Sequence, residues 1–314
     1  MNIFFKIDTK IISGICWKIL SCAAFAGINI IVRYLSGSSL LPIAQKLPTF
    51  VIIFFQHLIS SMLLLLVLAF KDPQNFNIVN KLIQSKYCKL HILRVTVATL
   101  GLGLWYFSFS KIPVTQVLAI SFVAPALTIL GATLILKEQI SFNRYIVIFL
   151  SMFGVFLITR PDLEIHFTLL NWTAILPIGA ALIFSADKLI TKKLFIFREC
   201  PILTTIYLLS LITPISLIFI LVSNSWVMPT TANFIPLFML GILGAIAHFS
   251  FNKSLETAAI TVIMPYGITK IIFSAIFSYL VFAEIPHTFS IWVGIIIICI
   301  STILLLYEKK LGTI

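Results

Sequence analysis

The chain has 314 residues, of which 60% are apolar and only 10% charged, and its mean hydropathy is +1.13. A soluble domain carries roughly a quarter charged residues, so this composition excludes a water-covered globule and points to an integral membrane protein. The net charge of +12 does not indicate nucleic-acid binding, because the lysines and arginines are scattered through short connections with no basic groove beside stacking aromatics.

Apolar runs long enough to cross a bilayer, about 20 residues each, occur ten times: 12–35, 47–70, 91–110, 114–136, 143–159, 168–188, 201–222, 233–251, 258–282 and 288–307. The N-terminus is basic and then apolar without a small-residue cleavage site, so the first run reads as a transmembrane helix and not as a removable signal. Span one carries Asn29 and the small pair Ala23/Gly27. Span two carries Gln56 and His57, both near its middle. His57 is either a proton relay or a hydrogen-bonded packing residue. Span three opens at Arg94, which reads as snorkelling toward headgroups or as part of a gate. It continues through Gly101, Gly103, Trp105, Tyr106 and Phe107. The glycines read as helix-packing positions. The aromatics form either a wall against a ring or cation of the substrate or an interfacial belt.

Span four is followed by Glu138, and span six ends at Asp187 beside Lys188. Span eight holds His248 and the small pair Gly241/Ala245. Span nine contains Pro265, Tyr266, Gly267 and Lys270, and Glu284 follows it. Pro265 and Gly267 weaken the helix locally. Lys270 stands about twelve residues into its span. It is either a cation for a substrate carboxylate or phosphate, or a packing lysine paired within the protein. Asp187, Glu138, Glu284 and His57 are candidates for gating or coupling, with solvated helix-end acids as the plain reading of the three carboxylates.

With the N-terminus inside, fifteen lysines and arginines fall on the cytoplasmic side and four outside, while Lys18, Arg94 and Lys270 lie within spans. This bias places both termini in the cytoplasm and requires an even number of spans. Residues 115–159 and 257–306 share a pattern: an apolar helix with an internal proline, a glutamate, a short turn and a glycine-bearing helix. Five spans per half is odd, so the halves 1–160 and 161–314 enter the membrane in opposite senses, as in inverted-repeat carriers. The five cysteines show no CxxC or Cys/His spacing. No disulfide, metal, catalytic cluster or cofactor is expected. The absence of GxxxxGK[ST], HExxH and GxSxG argues against a nucleotide-powered pump, a protease or a hydrolase. A membrane enzyme acting on a lipid-linked substrate and a non-transporting scaffold or sensor are the remaining rivals.

The stretches "HILR" (91–94), "IPVTQVLAISFVAPALTIL" (112–130), "SADKLITKK" (185–193) and "PYGITKIIFSAIFSYLVFAE" (265–284) resemble the EamA type of the drug/metabolite transporter superfamily. Within it they are similar to the S-adenosylmethionine uptake carriers of rickettsia-like intracellular bacteria. The resemblance implies an all-α membrane protein of ten transmembrane helices in two inverted five-helix repeats, multi-pass in a bacterial inner membrane. It implies alternating access for a small polar metabolite, with S-adenosylmethionine as the leading substrate and export of amino acids, other metabolites or drugs as the alternative. Lys270, Gln56, Asn29, Trp105 and Tyr266 are the implied substrate contacts, Lys270 holding the α-carboxylate. Two positions depart from the related carriers, which tend to an acid where Lys270 stands and an arginine near Gln56; the change at Lys270 also suits a more anionic substrate. The implied partners are a small molecule and the lipid bilayer, with a homodimer as the candidate assembly.

Overall fold

The computed structural model describes residues 9–36, 45–71, 86–111, 123–139, 142–159 and 175–282, together with positions 293, 296, 297 and 300. The helices are α1 (Thr9–Leu35), α2 (Thr49–Lys71), α3 (Cys88–Lys111), α4 (Val123–Ile135), α5 (Phe142–Thr159), α6 (Ile175–Ile196), α7 (Pro201–Val222), α8 (Thr231–Thr257), the short α9 (Ile260–Ile263) and α10 (Thr269–Phe282). No strand occurs among the described residues. The protein is an all-α membrane protein. Five stretches are long and apolar enough to cross a bilayer on their described residues: Thr9–Leu35, Thr49–Phe70, Pro201–Val222, Thr231–Thr257 and Ile260–Val281. Much of the tenth expected span, and Glu284, lie outside the described residues.

Helix boundaries follow local chemistry. Pro201 starts α7 at a position where its missing N–H costs nothing, after Cys200 in an extended conformation. Thr204, Thr205 and Thr213 donate to the carbonyls of Cys200, Pro201 and Leu209, four residues back. Their hydroxyls are thereby satisfied inside an apolar helix. α6 overruns its expected end at 188 and continues to Ile196. The apolar run stops at the lysines, but Leu189, Leu194 and Phe195 are buried, so packing carries the helix beyond the lipid-matched segment. α8 likewise extends to Thr257, with Asn252, Ser254 and Leu255 buried. The expected weakness at Pro265 and Gly267 is present: the backbone tightens into a 3₁₀ segment over Met264–Ile268 between α9 and α10.

The chain folds into two compact units. The first comprises Met1–Val95, Leu194–Ala258 and Thr269–Glu284. In it α1 packs on α8 and α10, α2 on α7 and α8, and α7 on α8. Small residues set the approach: a Cβ at Gly27 would stand 3.0 Å from Leu243 Cδ1, and one at Gly14 would stand 2.8 Å from the Ala258 Cβ. Gly27 and Gly241 are packing glycines, as their spacing predicts. At one end of this unit Gln45 accepts from Thr230 N–H at 3.1 Å, and its carbonyl accepts from Asn233 Nδ2 at 3.2 Å. These are two connections that the charge alternation also places on one side.

The second unit comprises Thr96–Lys193, Ala259–Ile268 and Ile285–Ile314. Here α4 packs on α9, on the 3₁₀ segment and on α5. Thr128 Oγ1 donates to Ser185 Oγ at 3.0 Å, and Ser185 reaches the Ala124 carbonyl, clasping α4 to α6. Gly101 admits Phe184, which would lie 3.0 Å from a Cβ there. Gly103 has nothing within 4 Å of the same construction, so its expected packing role is not met among the described residues. Phe142, Phe149 and Phe153 are exposed along α5, an apolar stripe suited to lipid. Each unit draws segments from both sequence halves.

Candidate functional site

In the first unit, α1 presents Lys18, Cys22, Phe25 and Asn29 at successive helical spacings of four, three and four residues, which places them on one face. Lys18 is only 7% exposed, although it sits in a membrane-spanning helix. Its Nζ lies over the Phe251 ring of α8, 4.4 Å from the centroid. Lys270, half-buried on α10, places its Nζ 5.7 Å from the centroid of Phe25. Phe25 follows Lys18 by seven residues on the same face of α1, so both lysines approach that face.

Phe25 meets His248 edge-on at 5.1 Å, and His248 lies 6.0 Å from His57. His57 Nδ1 donates to the Ile53 carbonyl at 2.8 Å, which leaves Nε2 as the ring's acceptor in the neutral form. Gln56 is buried against Gly244, where a Cβ would stand 3.3 Å from its Nε2. Two sets of contacts result in this unit: Lys18–Phe251, and Lys270–Phe25–His248–His57, with Gln56 preceding His57 in α2. Asn29 continues the α1 stripe and is exposed.

Energetics make the lysines unusual. A charged side chain near the bilayer centre costs about 2.5–3.5 kcal/mol on insertion scales. A cation–π contact returns about 0.5–2 kcal/mol. Among the described residues neither Lys18 nor Lys270 has an ion-pair partner. The described carboxylates of this unit are Glu199 and Glu256. Glu256 pairs with Lys253, and Glu199 stands 3.9 Å from His91.

The other expected contacts fall in the second unit. Trp105, on α3, meets Phe184 edge-on at 6.3 Å. The side chains of Tyr106 and Phe107 lie outside the described residues. Tyr266 is 2% exposed, within the 3₁₀ segment. The chain passes from the second unit into the first between Ile268 and Thr269, so Tyr266 and Lys270 belong to different units. Asp187 is not at a helix end, because α6 runs on for more than two turns beyond it. Its backbone carbonyl accepts from Thr191.

Glu138 has a defined structural task. The chain turns after α4 through Lys137 at φ 55°, and Glu138 N–H returns to the Ala132 carbonyl at 3.2 Å. The carboxylate then accepts from the N–H groups of Ile260 and Thr261 at 3.1 and 3.0 Å. It thereby caps two orphan donors where span nine begins. Glu138→Ala is expected to lower stability by about 1–2 kcal/mol, read as a lower melting temperature in detergent, with Glu138→Gln intermediate because the amide keeps one acceptor oxygen. Unchanged melting of the alanine variant would refute the cap.

Arg94 departs from the snorkelling expectation. It is 2% exposed and donates to the Thr204 carbonyl at 3.0 Å and to Asn252 Oδ1 at 3.3 Å. Asn252 Nδ2 in turn donates to Thr205 at 2.7 Å. Protein acceptors within reach of the planar guanidinium hold it inside, where a headgroup would otherwise compete. Sequence reasoning noted Lys18 only as a charge within a span. The signal that singles it out is the Lys18–Cys22–Phe25 stripe, legible at helical period once α1 is known to turn that part of its face inward.

Residues 12–160 match the EamA-like transporter family. An S-adenosylmethionine uptake transporter of Rickettsia prowazekii aligns at 26% identity over 95% of this chain and 94% of its own length. Residues 12–160 are an EamA-like segment, and the chain is a membrane transporter. A riboflavin transporter of Vibrio cholerae is also 26% identical to this chain, over 92% of it and 91% of the relative. A pseudopaline exporter of Pseudomonas aeruginosa is 20% identical over 95% and 97%. A solved crystal structure shares the fold of the transporter with a TM-score of 0.72 at 11% identity, covering 94% of this chain and 99% of the other. A membrane transporter implies a small-molecule cargo and a lipid bilayer.

Proposed function

We propose that this transporter is a secondary carrier of a bacterial inner membrane. It moves a small polar metabolite by alternating access between two inverted five-helix repeats, 1–160 and 161–314, with both termini cytoplasmic. The observation that supports this reading best is the end-to-end alignment with named uptake carriers, over 95% of the chain, in a chain without a nucleotide-binding loop. In this reading Lys270, Gln56, Asn29, Trp105 and Tyr266 are the residues proposed for substrate contact. Asp187, Glu138, Glu284 and His57 serve gating or coupling. Of the substrates in the relatives' names, S-adenosylmethionine is the leading candidate, its α-carboxylate offering Lys270 a partner, with its net positive charge counting against it. Export of amino acids or other metabolites is the alternative, since direction follows the gradients.

The test is counterflow in proteoliposomes of the purified chain. Labelled S-adenosylmethionine or riboflavin is added outside vesicles preloaded with the unlabelled compound. Saturable uptake accelerated by the internal pool is the expected result for a carrier of that compound. Absence of accelerated uptake for these and for a panel of amino acids, carboxylates and phosphates would overturn the carrier reading.

A further inference from the structure

We propose that Lys18 and Lys270 together form a dianion-binding site where α1 meets α8 and α10, so that the cargo carries two negative charges, as a dicarboxylate or a phosphate monoester does. The proposal takes its purpose from the carrier reading above, while its geometry stands without it. Lys18 is 93% buried by the complement of its 7% exposure, and its ammonium faces a phenylalanine ring and no carboxylate among the described residues. Lys270 faces a second phenylalanine from the neighbouring helix. Lys18 and Phe25, the ring that Lys270 faces, stand seven residues apart on one face of α1, and the unit's described carboxylates are engaged at Lys253 and beside His91.

Two like charges in one apolar unit are held together best by a counter-charge that both can reach. A single carboxylate offsets one of them and leaves the other unpaired. A sulfonium-bearing cargo with one carboxylate and one ammonium brings a net positive charge to a site that already holds two. A dianion meets both lysines at once, and the Phe25 and Phe251 rings offer apolar surface to the carbon between its acidic groups. His248, edge-on to Phe25 at 5.1 Å, adds a polar ring beside that surface.

The experiment measures ligand-induced thermal stabilisation of the full chain in detergent, titrating succinate, glycerol 3-phosphate, S-adenosylmethionine and riboflavin. Saturable stabilisation by succinate, by glycerol 3-phosphate or by both is expected, and which of them binds separates a carboxylate cargo from a phosphate cargo. Lys18→Gln and Lys270→Gln are each expected to weaken that binding about tenfold or more, whereas Lys18→Arg retains it.

A second measurement removes the charge from the ligand and leaves the protein intact, so it stands even where a lysine variant does not fold. Monomethyl succinate is expected to bind about tenfold more weakly than succinate, and methylation of the phosphate is expected to act likewise. Equal affinity for the ester and the dianion would overturn the proposal. So would failure of both dianions to bind, or unchanged dianion binding in both folded glutamine variants. Dianion binding without counterflow upholds the site and removes the carrier reading. Counterflow of S-adenosylmethionine or riboflavin without dianion binding upholds the carrier and removes the site.

Discussion

Replacing Arg94 by alanine is expected to destabilise the protein by about 2–5 kcal/mol, because two buried hydrogen bonds from a charged donor are lost at once and such bonds contribute about 1.5–3 kcal/mol each. The guanidinium joins the start of α3 to α7 through the Thr204 carbonyl and to α8 through Asn252. Asn252 passes the connection on to Thr205, so three helices share one buried polar node. Water has little access to a residue that is 2% exposed, so removal of the donor leaves Asn252 Oδ1 unreplaced, while the Thr204 carbonyl keeps only its bond within α7. Arg94→Lys is expected to fall between wild type and alanine, since an ammonium keeps the charge and loses the planar fork.

Asn252→Leu removes the middle of the same node. Combined with Arg94→Ala, it is expected to cost less than the sum of the two single changes, as partners in one network do. Melting in detergent, with yield of monodisperse protein as a second readout, checks each step. Equal melting of wild type and the alanine variant would show that the node contributes nothing, and strict additivity would show that the two residues do not cooperate.

The second large effect is expected from a single methyl group. A Cβ at Gly241 would fall inside the Ile59 side chain, against a β-branched carbon close to the α2 backbone. The same site accepts a hydrogen bond from Ser60 Oγ to the Gly241 carbonyl at 2.6 Å. One turn further along α8, Gly244 is crowded by Ser60 and Gln56. Ile59 cannot swing clear by a distal rotamer, since the clash begins at its branch point. Gly241→Ala must therefore push α2 and α8 apart, at a cost of about 1–3 kcal/mol, and it also strains the Ser60 bond. Gly103→Ala is the matched control: the space around it is open to 4 Å, and the helix propensity of alanine favours the change by up to about 1 kcal/mol. A Gly241→Ala variant as stable as Gly103→Ala would contradict the close α2–α8 approach. Gly241→Ala is also expected to disturb Gln56 through the same helix pair.

Much of this protein is legible in its amino-acid order. A composition of 60% apolar and 10% charged residues leaves a membrane as the solvent, because so few charges cannot cover a globule in water. Hydrocarbon then demands continuous apolar helices, so span positions can be read residue by residue. The run 201–222 coincides with α7, and 12–35 and 143–159 agree with α1 and α5 within a few residues. Pro265 and Gly267 announce the 3₁₀ segment through their own backbone restrictions. Lys270 stands out because a charge in lipid is costly wherever it falls.

What the tertiary structure alone decided is pairing. Helical period shows which residues share a face but not what that face meets. Arg94 could have turned to headgroups; the positions of Thr204 and Asn252, more than a hundred residues away, turned it inward. Glu138 could have been a solvated helix-end acid; the fold brought the first backbone donors of span nine to its carboxylate. Lys18 became a candidate only when α8 supplied Phe251 and α10 supplied Lys270 on the same side of α1. Apolar transfer sets the length and location of each helix through local composition. Hydrogen bonds and charges are satisfied by whichever group arrives within about 3 Å, and in a bundle those groups come from distant parts of the chain.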